Sequence, residues 1–318
     1  MLKIIYLGTP QFAVPTLKAL IAEPDFEVVA VVCQPDRPKG RGNKLMAPPT
    51  KQLANEHNIT VLQPEKLARS PEIVDAMRAL KPDIIVMVAF GQILKKEVLE
   101  LPPRGVINVH GSLLPELRGA APINWSIING NTTTGVTTMV TEAGVDTGPM
   151  LLKAEIPISP DMTAEELSET MSHVGAELLI KTLRGLIDGT VKPLAQDDSK
   201  HTLAPILDKT MGALDFTQSA QNLHNRVRGL MPWPSTHATF RGSKLKIIKT
   251  ALPATSIGPG TKPAGTLHKQ DGKLYVYCHS GDEVLELVRV QPESRSAVDG
   301  LAWANGAHVE PGEKLENG

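Results

Sequence analysis

Apolar runs alternate with helical patterns along the first 190 residues, and this alternation constrains the fold more than any other feature of the sequence. Strand-like runs lie at Lys3 to Leu7, Val28 to Cys33, Ile84 to Val88, Val106 to Val109 and Gly135 to Val140. Helical patterns lie at Phe12 to Leu20, from Pro71 onward and at Thr163 to Ile187. Strands that alternate with helices are typical of a mostly parallel sheet covered by helices. The sequence therefore predicts an α/β, Rossmann-like domain.

Two of the predicted helices begin with recognisable capping residues. Ser70 is a common N-cap residue, and Pro71 follows it at the first helical position, where a missing N–H costs nothing. Thr163 and Glu166 have the spacing of a capping box, in which each side chain bonds the other residue's backbone N–H. These signals predict where the two helices start.

The pattern changes beyond residue 190, and this change predicts a second domain. Residues 191–205 are polar and irregular, as expected of a linker. After one helical pattern at Ser219 to Leu230, the chain contains short strand-like runs separated by turns, which predicts a small β-barrel. A chain of 318 residues has room for two domains of about 150 residues each. We expect domains at residues 1–190 and 206–318.

Two polar side chains interrupt the apolar run that begins at Val106. Asn108 and His110 are two residues apart, so on a strand they point to the same face. Gly111 and Ser112 then end the strand pattern. In open α/β sheets, ligands bind outside the carboxyl ends of strands. The pair is therefore a candidate functional site, although for either residue alone a turn former or a hydrogen-bonded polar group is the ordinary explanation.

Two other strand ends carry candidate residues. The strand at Ile84 to Val88 leads into Phe90, Gly91 and Ile93, and this turn either lines a pocket for a flat ring or places Phe90 in the core. Asp146 lies in a glycine-flanked turn after the strand at Gly135 to Val140. An Asx-turn is the ordinary explanation for an aspartate in such a turn.

A basic segment rich in proline and glycine separates the second strand from the next helix. It runs from Gln34 to Lys51 and is too broken for a helix or a strand. Its only acid is Asp36, and its basic residues are Arg37, Lys39, Arg41, Lys44 and Lys51. Long loops without regular structure are usually functional or disordered. The segment is either a solvated surface loop or a flexible arm for a polyanion, and we expect it to be ordered only with its partner.

A second basic run lies in the C-terminal part of the chain. It extends from Phe240 to Lys249 without an acid, and its cations are Arg241, Lys244, Lys246 and Lys249. Lysine and arginine can neutralise nucleic-acid phosphates. The alternative is a solvated strand face.

The overall composition excludes several classes of protein. The formal net charge is −1, which argues against wholesale coating of nucleic acid but not against a local basic patch. The two cysteines, Cys33 and Cys278, are far apart and form neither a disulfide framework nor a zinc cassette, so we expect a reducing, cytoplasmic setting. No run is long and apolar enough to span a membrane. No cluster of His, Cys and carboxylates surrounds the candidate residues, so no metal is expected.

The segment N-V-H-G-S-L-L-P at Asn108, followed by R-G-A-A-P and by G-V-D-T-G at Asp146, resembles the formyltransferase family that uses 10-formyltetrahydrofolate. The basic loop Q-P-D-R-P-K-G-R-G-N-K-L, the opening G-T-P-Q-F-A and M-P-W-P at Met231 to Pro234 resemble the branch whose acceptor is initiator methionyl-tRNA. The resemblance covers nearly the whole chain and is tightest over residues 1–150.

This resemblance implies a Rossmann-like catalytic domain followed by an OB-like barrel. It places Asn108, His110 and Asp146 on the catalytic positions of the family. It implies that folate binds at the segment Ser112, Leu113, Leu114 and Pro115, to which we add the turn with Phe90, Gly91 and Ile93. His110 would donate to the developing oxyanion or shuttle a proton, and Asp146 would orient the imidazole, stabilise its charge or accept the proton through water.

The resemblance also implies a tRNA partner. The loop that holds Arg41 resembles the one that engages the acceptor stem of initiator tRNA, and OB-like barrels commonly bind nucleic acids. The candidate tRNA-binding residues are Arg37, Lys39, Arg41, Lys44, Arg241, Lys244 and Lys246. We expect a cytoplasmic monomer that uses 10-formyltetrahydrofolate as its formyl donor, with no metal.

Two alternatives remain open. A formyltransferase that acts on a small amine, such as a sugar nucleotide or glycinamide ribonucleotide, would share Asn108, His110 and Asp146 but would leave the basic loop unexplained. A non-catalytic folate-binding or RNA-binding protein would not require those three residues.

Overall fold

A computed structural model describes residues 1–39, 44–253 and 261–318. Its strands are β1 (Leu2–Gly8), β2 (Phe26–Val32), β3 (Arg37–Lys39), β4 (Lys44–Met46), β5 (Thr60–Leu62), β6 (Ile84–Val88), β7 (Val106–His110), β8 (Arg118–Gly119), β9 (Thr133–Val140), β10 (Met150–Pro157), β11 (Leu203–Ala204), β12 (Thr236–Phe240), β13 (Ser243–Ala251), β14 (Leu267–Gln270), β15 (Lys273–Cys278), β16 (Glu283–Pro292) and β17 (Val298–Asp299).

The α-helices are α1 (Val14–Ala22), α2 (Pro49–Glu56), α3 (Pro71–Ala79), α4 (Lys96–Leu99), α5 (Pro122–Ile128), α6 (Ala164–Asp188), α7 (Ala220–Leu230) and α8 (Gly300–Gly306). Short 3-10 turns occupy Gln11–Ala13, Leu67–Arg69, Asp198–Lys200 and Lys209–Gly212. None of the helices in the described ranges has the length and apolarity needed to cross a membrane.

The chain divides into two compact units. The first unit contains Met1–Gly119, Thr133–Pro157 and Ser168–Leu203, and the second contains Ala120–Thr132, Ile158–Leu167 and Ala204–Gly318. Most of the stretch expected as a linker, up to Leu203, therefore lies in the first unit.

The first unit is built on a seven-stranded sheet with the order β10-β9-β7-β6-β1-β2-β5. Five neighbouring strands, from β7 to β5, run parallel, while β9 pairs antiparallel with both β7 and β10. The prediction of a mostly parallel sheet is confirmed. Strands of this kind are buried on both faces and read as continuous apolar runs, as Ile4 to Leu7 and Ile84 to Val86 do. The parallel strands β6 and β7 end at the same edge of the sheet, where Met87 pairs with Asn108.

The two capping predictions had different outcomes. Glu166 Oε2 accepts the Thr163 N–H at 2.8 Å, and Thr163 Oγ1 accepts the Glu166 N–H at 3.3 Å, so the capping box is confirmed. Pro71 begins α3 as predicted, but the Ser70 side chain makes no capping bond and its hydroxyl donates to the Lys66 carbonyl. The local sequence shows that Ser70 is a residue type able to cap a helix. It does not show that a carbonyl at the start of the preceding 3-10 turn competes for the Ser70 hydroxyl.

The prediction that the basic segment at Gln34 to Lys51 contains neither helix nor strand is wrong. Strands β3 and β4 pair antiparallel, with Arg37 opposite Met46, and α2 begins at Pro49. The base of the hairpin is held by Lys51, whose ammonium contacts both Asp36 oxygens at 2.8 and 2.9 Å and Gln63 Oε1 at 2.8 Å. Bonds from the Gln63 amide and the Lys51 ammonium lower the pKa of Asp36.

These contacts explain why the hairpin forms without an alternating pattern. They also remove Lys51 from the cations available to a polyanion, because its charge is paired with Asp36. Residues 40–43, which include Arg41, lie outside the described residues, as do residues 254–260. The expectation that the loop is ordered only with its partner stays a prediction.

The second unit is built on an antiparallel sheet with the order β12-β13-β16-β15-β14, and β17 pairs with β16. Helices α7 and α8 contribute Leu223, Val227 and Trp303 to the core that the sheet covers, together with Ile247 and Leu285. The short strand β12 and helix α8 were not among the elements predicted from the sequence. Both gain their order from this core and not from a strong local pattern.

Both cysteines are buried and unpaired, Cys33 in the first unit and Cys278 in the second. Burial raises the pKa of the Cys33 thiol to about 11 and that of the Cys278 thiol to about 12. The interpretation of Cys33 as a buried thiol is confirmed.

Candidate active site

The candidate site begins at the end of β7, where Asn108 and His110 lie two residues apart. Both are buried, with exposed fractions of 7% and 6%. Asn108 pairs across the sheet with Met139, and His110 pairs with Thr137. Because the apolar neighbours of the strand fill the core, the two polar side chains share one strand end in a largely dehydrated setting.

The contacts of His110 determine which of its ring nitrogens carries the proton. Nε2 lies 3.0 Å from the Leu117 carbonyl oxygen, which can only accept. Nε2 is therefore the protonated nitrogen, and in the neutral ring Nδ1 carries the free lone pair. Nδ1 lies 3.6 Å from Asp146 Oδ2, beyond direct hydrogen-bond distance. The neutral ring can thus accept a proton at Nδ1, next to a carboxylate that stabilises the resulting charge.

Asp146 faces His110 from a turn with an unusual backbone. Its φ of +52° lies in the left-handed region, which non-glycine residues rarely adopt. Oδ2 accepts the Gly119 N–H at 2.9 Å, and the side chain is 16% exposed. The hydrogen bond that holds the carboxylate thus comes from a residue 27 positions earlier in the chain.

Asn108 differs from His110 and Asp146 because its amide makes no side-chain hydrogen bond to the described part of the chain. Buried amides usually have partners. An amide left free at a strand end can donate to a bound substrate, and an oxygen that gains negative charge during a reaction is a suitable acceptor.

The segment after β7 is tied to the sheet by hydrogen bonds. The Thr137 hydroxyl donates to the Ser112 carbonyl at 2.7 Å and accepts the Leu114 N–H at 3.1 Å, while the Ser112 hydroxyl donates to the Glu116 carbonyl at 2.6 Å. Ser112 and Leu114 are fully buried, whereas Leu113 and Pro115 are partly exposed. The segment therefore offers Leu113 and Pro115 to a ligand on a fixed backbone.

The turn after β6 divides into a buried and an exposed part. Phe90 is buried in the core with Leu94 and Val98. Gly91 is exposed with a φ of +77°, and Ile93 is 77% exposed. Of the three residues predicted in this turn, Gly91 and Ile93 have surface available for a ligand, and Phe90 does not.

The predicted tRNA-binding residues fall in both units and differ in their partners. In the first unit, Arg37 pairs with Glu65 at 2.9 Å while remaining largely exposed. In the second unit, Lys244 and Lys246 lie on the exposed side of β13, opposite Thr239 and His237 of β12. Only the backbone of Lys39 and Lys44 is described, within the hairpin, and Arg41 lies outside the described residues.

Arg241 is engaged by its own unit. Its guanidinium contacts both carboxylate oxygens of Glu313 at 2.7 Å and donates to the Ala307 carbonyl at 3.1 Å. It also lies 4.8 Å from the centroid of the Phe240 ring. A cation with these partners is less available to phosphate than Lys244 or Lys246.

Sequence reasoning missed three residues around the site: Arg118, Gln196 and Thr202. Gln196 Nε2 donates to the carbonyls of Asp146 and Gly148, each at 2.8 Å, and Thr202 Oγ1 accepts the Leu117 N–H at 2.8 Å. Gln196 and Thr202 belong to the stretch interpreted as a linker. No local pattern marks them, because their partners are backbone atoms far away in the sequence. No group of three or more His, Cys, Asp or Glu able to hold a metal is found among the described residues.

Comparison with known proteins identifies the family of the chain. Residues 2–183 match the family model described as formyl transferase, and residues 206–308 match that of the formyl transferase C-terminal domain. A methionyl-tRNA formyltransferase of Acetivibrio thermocellus is 48% identical over 94% of this chain and 95% of its own. The corresponding protein of Trichlorobacter lovleyi is 52% identical over 83% and 82%, and that of Ruminiclostridium cellulolyticum is 46% identical over 99% and 99%.

Solved structures show the same fold at lower identity. An N-formyltransferase from Helicobacter canadensis, in complex with folinic acid and dTDP-3-aminofucose, has a TM-score of 0.69 at 21% identity over 90% of this chain and 99% of its own. A sugar 3N-formyl transferase, solved in the presence of dTDP and 5-N-formyl-THF, has a TM-score of 0.67 at 20% identity over 93% and 99%.

Proposed function

The chain belongs to the formyl transferase family, and from this membership we propose that it transfers a formyl group from 10-formyltetrahydrofolate to the α-amino group of methionine on initiator methionyl-tRNA. The observation that carries the proposal is the cluster of Asn108, His110 and Asp146 at the end of β7. It occurs in a chain whose relatives at 46–52% identity, matched over at least 82% of their length, are named methionyl-tRNA formyltransferase.

Asn108 is assigned to the oxyanion. The methionine nitrogen attacks the formyl carbon, and the carbonyl oxygen becomes negatively charged in a tetrahedral intermediate. The free Asn108 amide is able to donate to that oxygen, and one such donor contributes about 10²–10³ in rate. Its burial strengthens the interaction because the local dielectric is low.

His110 and Asp146 are assigned to the proton. A free α-amino group has a pKa of about 7.7–8.0, so a useful fraction is neutral and nucleophilic near pH 7. As the new C–N bond forms, this nitrogen loses a proton, and the lone pair on His110 Nδ1 accepts it directly or through a water. Asp146 stabilises the imidazolium. The bond between the formyl carbon and N10 then breaks, and N10 takes up a proton, which leaves tetrahydrofolate and formylmethionyl-tRNA.

The formyl donor is assigned to the surface beside this cluster. Leu113 and Pro115 on one side and Gly91 and Ile93 on the other are exposed or partly exposed near the ends of β7 and β6. An exposed apolar side chain such as Ile93 is suited to cover a flat ring. Phe90, Ser112 and Leu114 expose no comparable surface, so we assign them to the support of the pocket.

The tRNA is assigned to two basic elements. The first is the basic segment with Arg37, Lys39, Arg41 and Lys44. The base of its β3–β4 hairpin is fastened by Lys51 and Asp36. The second is the exposed side of β12 and β13 with Lys244 and Lys246, to which Arg241 contributes less because it is paired with Glu313. Together they supply cations for phosphates while the net charge of the chain stays near zero.

The remaining parts of the proposal concern organisation. We assign catalysis and the first basic element to residues 1–190 and the second tRNA-binding element to residues 206–318, with the sheet of the second unit closed as an OB-like barrel. We expect a cytoplasmic monomer. The two buried, unpaired cysteines are compatible with a reducing compartment, and light scattering of the purified protein measures the oligomeric state.

The test is formyl transfer from 10-formyltetrahydrofolate to charged initiator methionyl-tRNA, with elongator methionyl-tRNA and the Asn108→Ala protein measured in parallel. Transfer to the initiator alone, reduced about 10²–10³-fold in the variant, supports the proposal. If folate binds but neither tRNA is formylated, the acceptor is a small amine and the proposal is wrong.

A further inference from the structure

The turn that carries Asp146 depends on contacts from outside its own loop. Asp146 has a φ of +52°, and residues 142–145 beside it are exposed. A left-handed backbone at a non-glycine residue persists only when surrounding contacts impose it. The contacts around this turn therefore decide where the Asp146 carboxylate lies.

Gln196 bonds the Asp146 turn at two backbone carbonyls. Its Nε2 donates to the Asp146 carbonyl and to the Gly148 carbonyl, each at 2.8 Å. One amide group thus bonds two carbonyls of the same turn. Movement of the turn would break both bonds, so Gln196 restrains its backbone.

Arg118 determines the orientation of the Gln196 amide. Its Nε and Nη2 donate to Gln196 Oε1 at 2.9 and 2.7 Å, and Nη2 also contacts Asp198 Oδ1 at 2.7 Å. A guanidinium only donates and a backbone carbonyl only accepts, so the amide has one possible orientation. Arg118 is buried, and its charge is compensated by the Asp198 carboxylate.

The same segment also supports the histidine. Leu117, whose carbonyl accepts from His110 Nε2, donates its own N–H to Thr202 Oγ1 at 2.8 Å. The next N–H, that of Arg118, donates to the Thr202 carbonyl at 2.9 Å. Thr202 therefore holds the carbonyl that determines the tautomer of His110.

We propose that Gln196 and Thr202 are positioning residues, with Gln196 fixing Asp146 and Thr202 fixing His110 through Leu117. The inference rests on the proposed function, since it assigns these residues to the proton-accepting pair of that reaction. Together they hold His110 Nδ1 and Asp146 Oδ2 at their separation of 3.6 Å. A misplacement of about 1 Å in a catalytic group can cost roughly 10²-fold in rate.

The kinetic test compares two variants of Gln196 that differ in one contact. Gln196→Met loses the bonds to Arg118 and to both carbonyls. Gln196→Glu keeps an acceptor for Arg118 but replaces the donor with a carboxylate oxygen that the two carbonyl oxygens repel. We expect kcat to fall about 10- to 100-fold in both, with KM for folate and tRNA within about twofold of wild type. Lys192→Gln is the matched control, because Lys192 is exposed in the same segment, and it should behave as wild type.

The second arm does not require turnover. Nitrogen-15 NMR of labelled histidine reports the two ring nitrogens of His110 separately, and a His110→Gln sample assigns the signals. Gln196→Met should shift the Nδ1 signal, which faces Asp146, and leave Nε2 nearly unchanged. Thr202→Val removes the acceptor of the Leu117 N–H and should shift Nε2 more than Nδ1. Melting temperatures show whether each variant is folded.

The outcomes separate this inference from the proposed function. If wild-type protein transfers no formyl group, the proposed function fails, and the NMR arm still decides whether Gln196 and Thr202 position the pair. If wild type is active but both Gln196 variants retain its kcat and its His110 signals, the positioning role is wrong. A fall in kcat that follows a loss of folded protein, with unchanged ring signals, also overturns it.

Discussion

His110 in the first unit and His224 in the second are both buried, and in both the Nε2–H faces a backbone carbonyl, that of Leu117 at 3.0 Å and that of Pro160 at 3.2 Å. They differ at Nδ1. In His224 this nitrogen accepts the Thr250 hydroxyl at 2.9 Å, whereas in His110 it faces Asp146 across 3.6 Å with no hydrogen bond.

The comparison teaches what separates a structural histidine from one prepared for chemistry. Burial, a carbonyl partner and a nearby carboxylate are common to both, because Asp161 Oδ1 lies 3.3 Å from His224 Nε2. Only His110 keeps a basic lone pair without a partner, beside a carboxylate able to stabilise the charge it would gain. Burial lowers the pKa of His224, and the positive charge of Arg228 contributes in the same direction.

We expect the largest effect from replacing His110, the proposed proton acceptor. His110→Gln retains a donor for the Leu117 carbonyl but has no basic nitrogen. We expect kcat for formyl transfer to fall by about 10²–10⁴, the usual contribution of acid–base catalysis, with little change in KM or melting temperature. Steady-state kinetics with saturating initiator methionyl-tRNA measure this. A variant within fivefold of wild type would break the comparison, because His110 would then be no more reactive than His224.

The reciprocal substitution should affect stability and not chemistry. His224→Ala leaves the buried Thr250 hydroxyl without its partner, and a buried polar group left unsatisfied costs about 1–3 kcal/mol. We expect the free energy of unfolding to fall by roughly 2 kcal/mol, measured by urea denaturation, and kcat of the folded protein to be unchanged. His173→Ala, at an exposed position of α6, is the control and should be neutral. Loss of kcat without loss of stability would contradict the structural role.

The pH dependence of stability sharpens the difference. The pKa of His224 is lowered from its usual value of 6.5, so between the folded pKa and 6.5 the unfolded state binds more protons. Stability is therefore lost as pH falls below about 6.5, with a slope of at most about 1.4 kcal/mol per pH unit for one proton. His237 contributes with the same sign, because burial and then Lys244 and Lys246 lower its pKa.

This is checked by urea denaturation between pH 7.5 and 5.5. The range lies above the pH at which carboxylates with lowered pKa, such as those of Asp36 and Glu166, become protonated. The curve of His224→Gln should be flatter than that of wild type, and the remaining slope belongs to His237. Identical slopes would show that His224 is readily protonated in the folded protein.

The same comparison shows which parts of the site were predictable. The spacing of Asn108 and His110 places them on one face of a strand, and the structure agrees. Nothing in the spacing brings Asp146 to His110; that expectation came from the family motif. Gln196 bonds a carbonyl 50 residues away and Thr202 an N–H 85 residues away, so local patterns did not reveal either residue.

For the fold, the long apolar strands β1, β2, β6 and β7 were predicted because burial on both faces leaves a continuous apolar run. The hairpin of β3 and β4 was not. Its order comes from polar contacts among Lys51, Asp36 and Gln63, which no periodicity encodes.

We expect the smallest effect from a change in the surface charge of the second unit. It tests whether this unit contributes to tRNA binding through exposed lysines and not through the buried His224. Replacing both Lys244 and Lys246 with Gln should raise KM for tRNA about 3- to 10-fold and reduce the salt dependence of kcat/KM, because each lost phosphate contact removes roughly one unit of slope. Melting temperature and KM for folate should be unchanged. Lys269→Gln, at an exposed position of β14, is the matched control.

Arg241→Gln tests whether Arg241 binds tRNA, as proposed for Lys244 and Lys246, or stabilises the second unit. Its guanidinium is held by both oxygens of Glu313 and by two backbone carbonyls, so its loss should lower the melting temperature more than it raises KM for tRNA. The opposite result, a stable variant with weak tRNA binding, would show that Arg241 leaves Glu313 for phosphate. In that case a paired cation would bind tRNA as well as the free cations Lys244 and Lys246 do. The absence of a partner, which also marks Nδ1 of His110, would then no longer distinguish the functional residues of this chain from the structural ones.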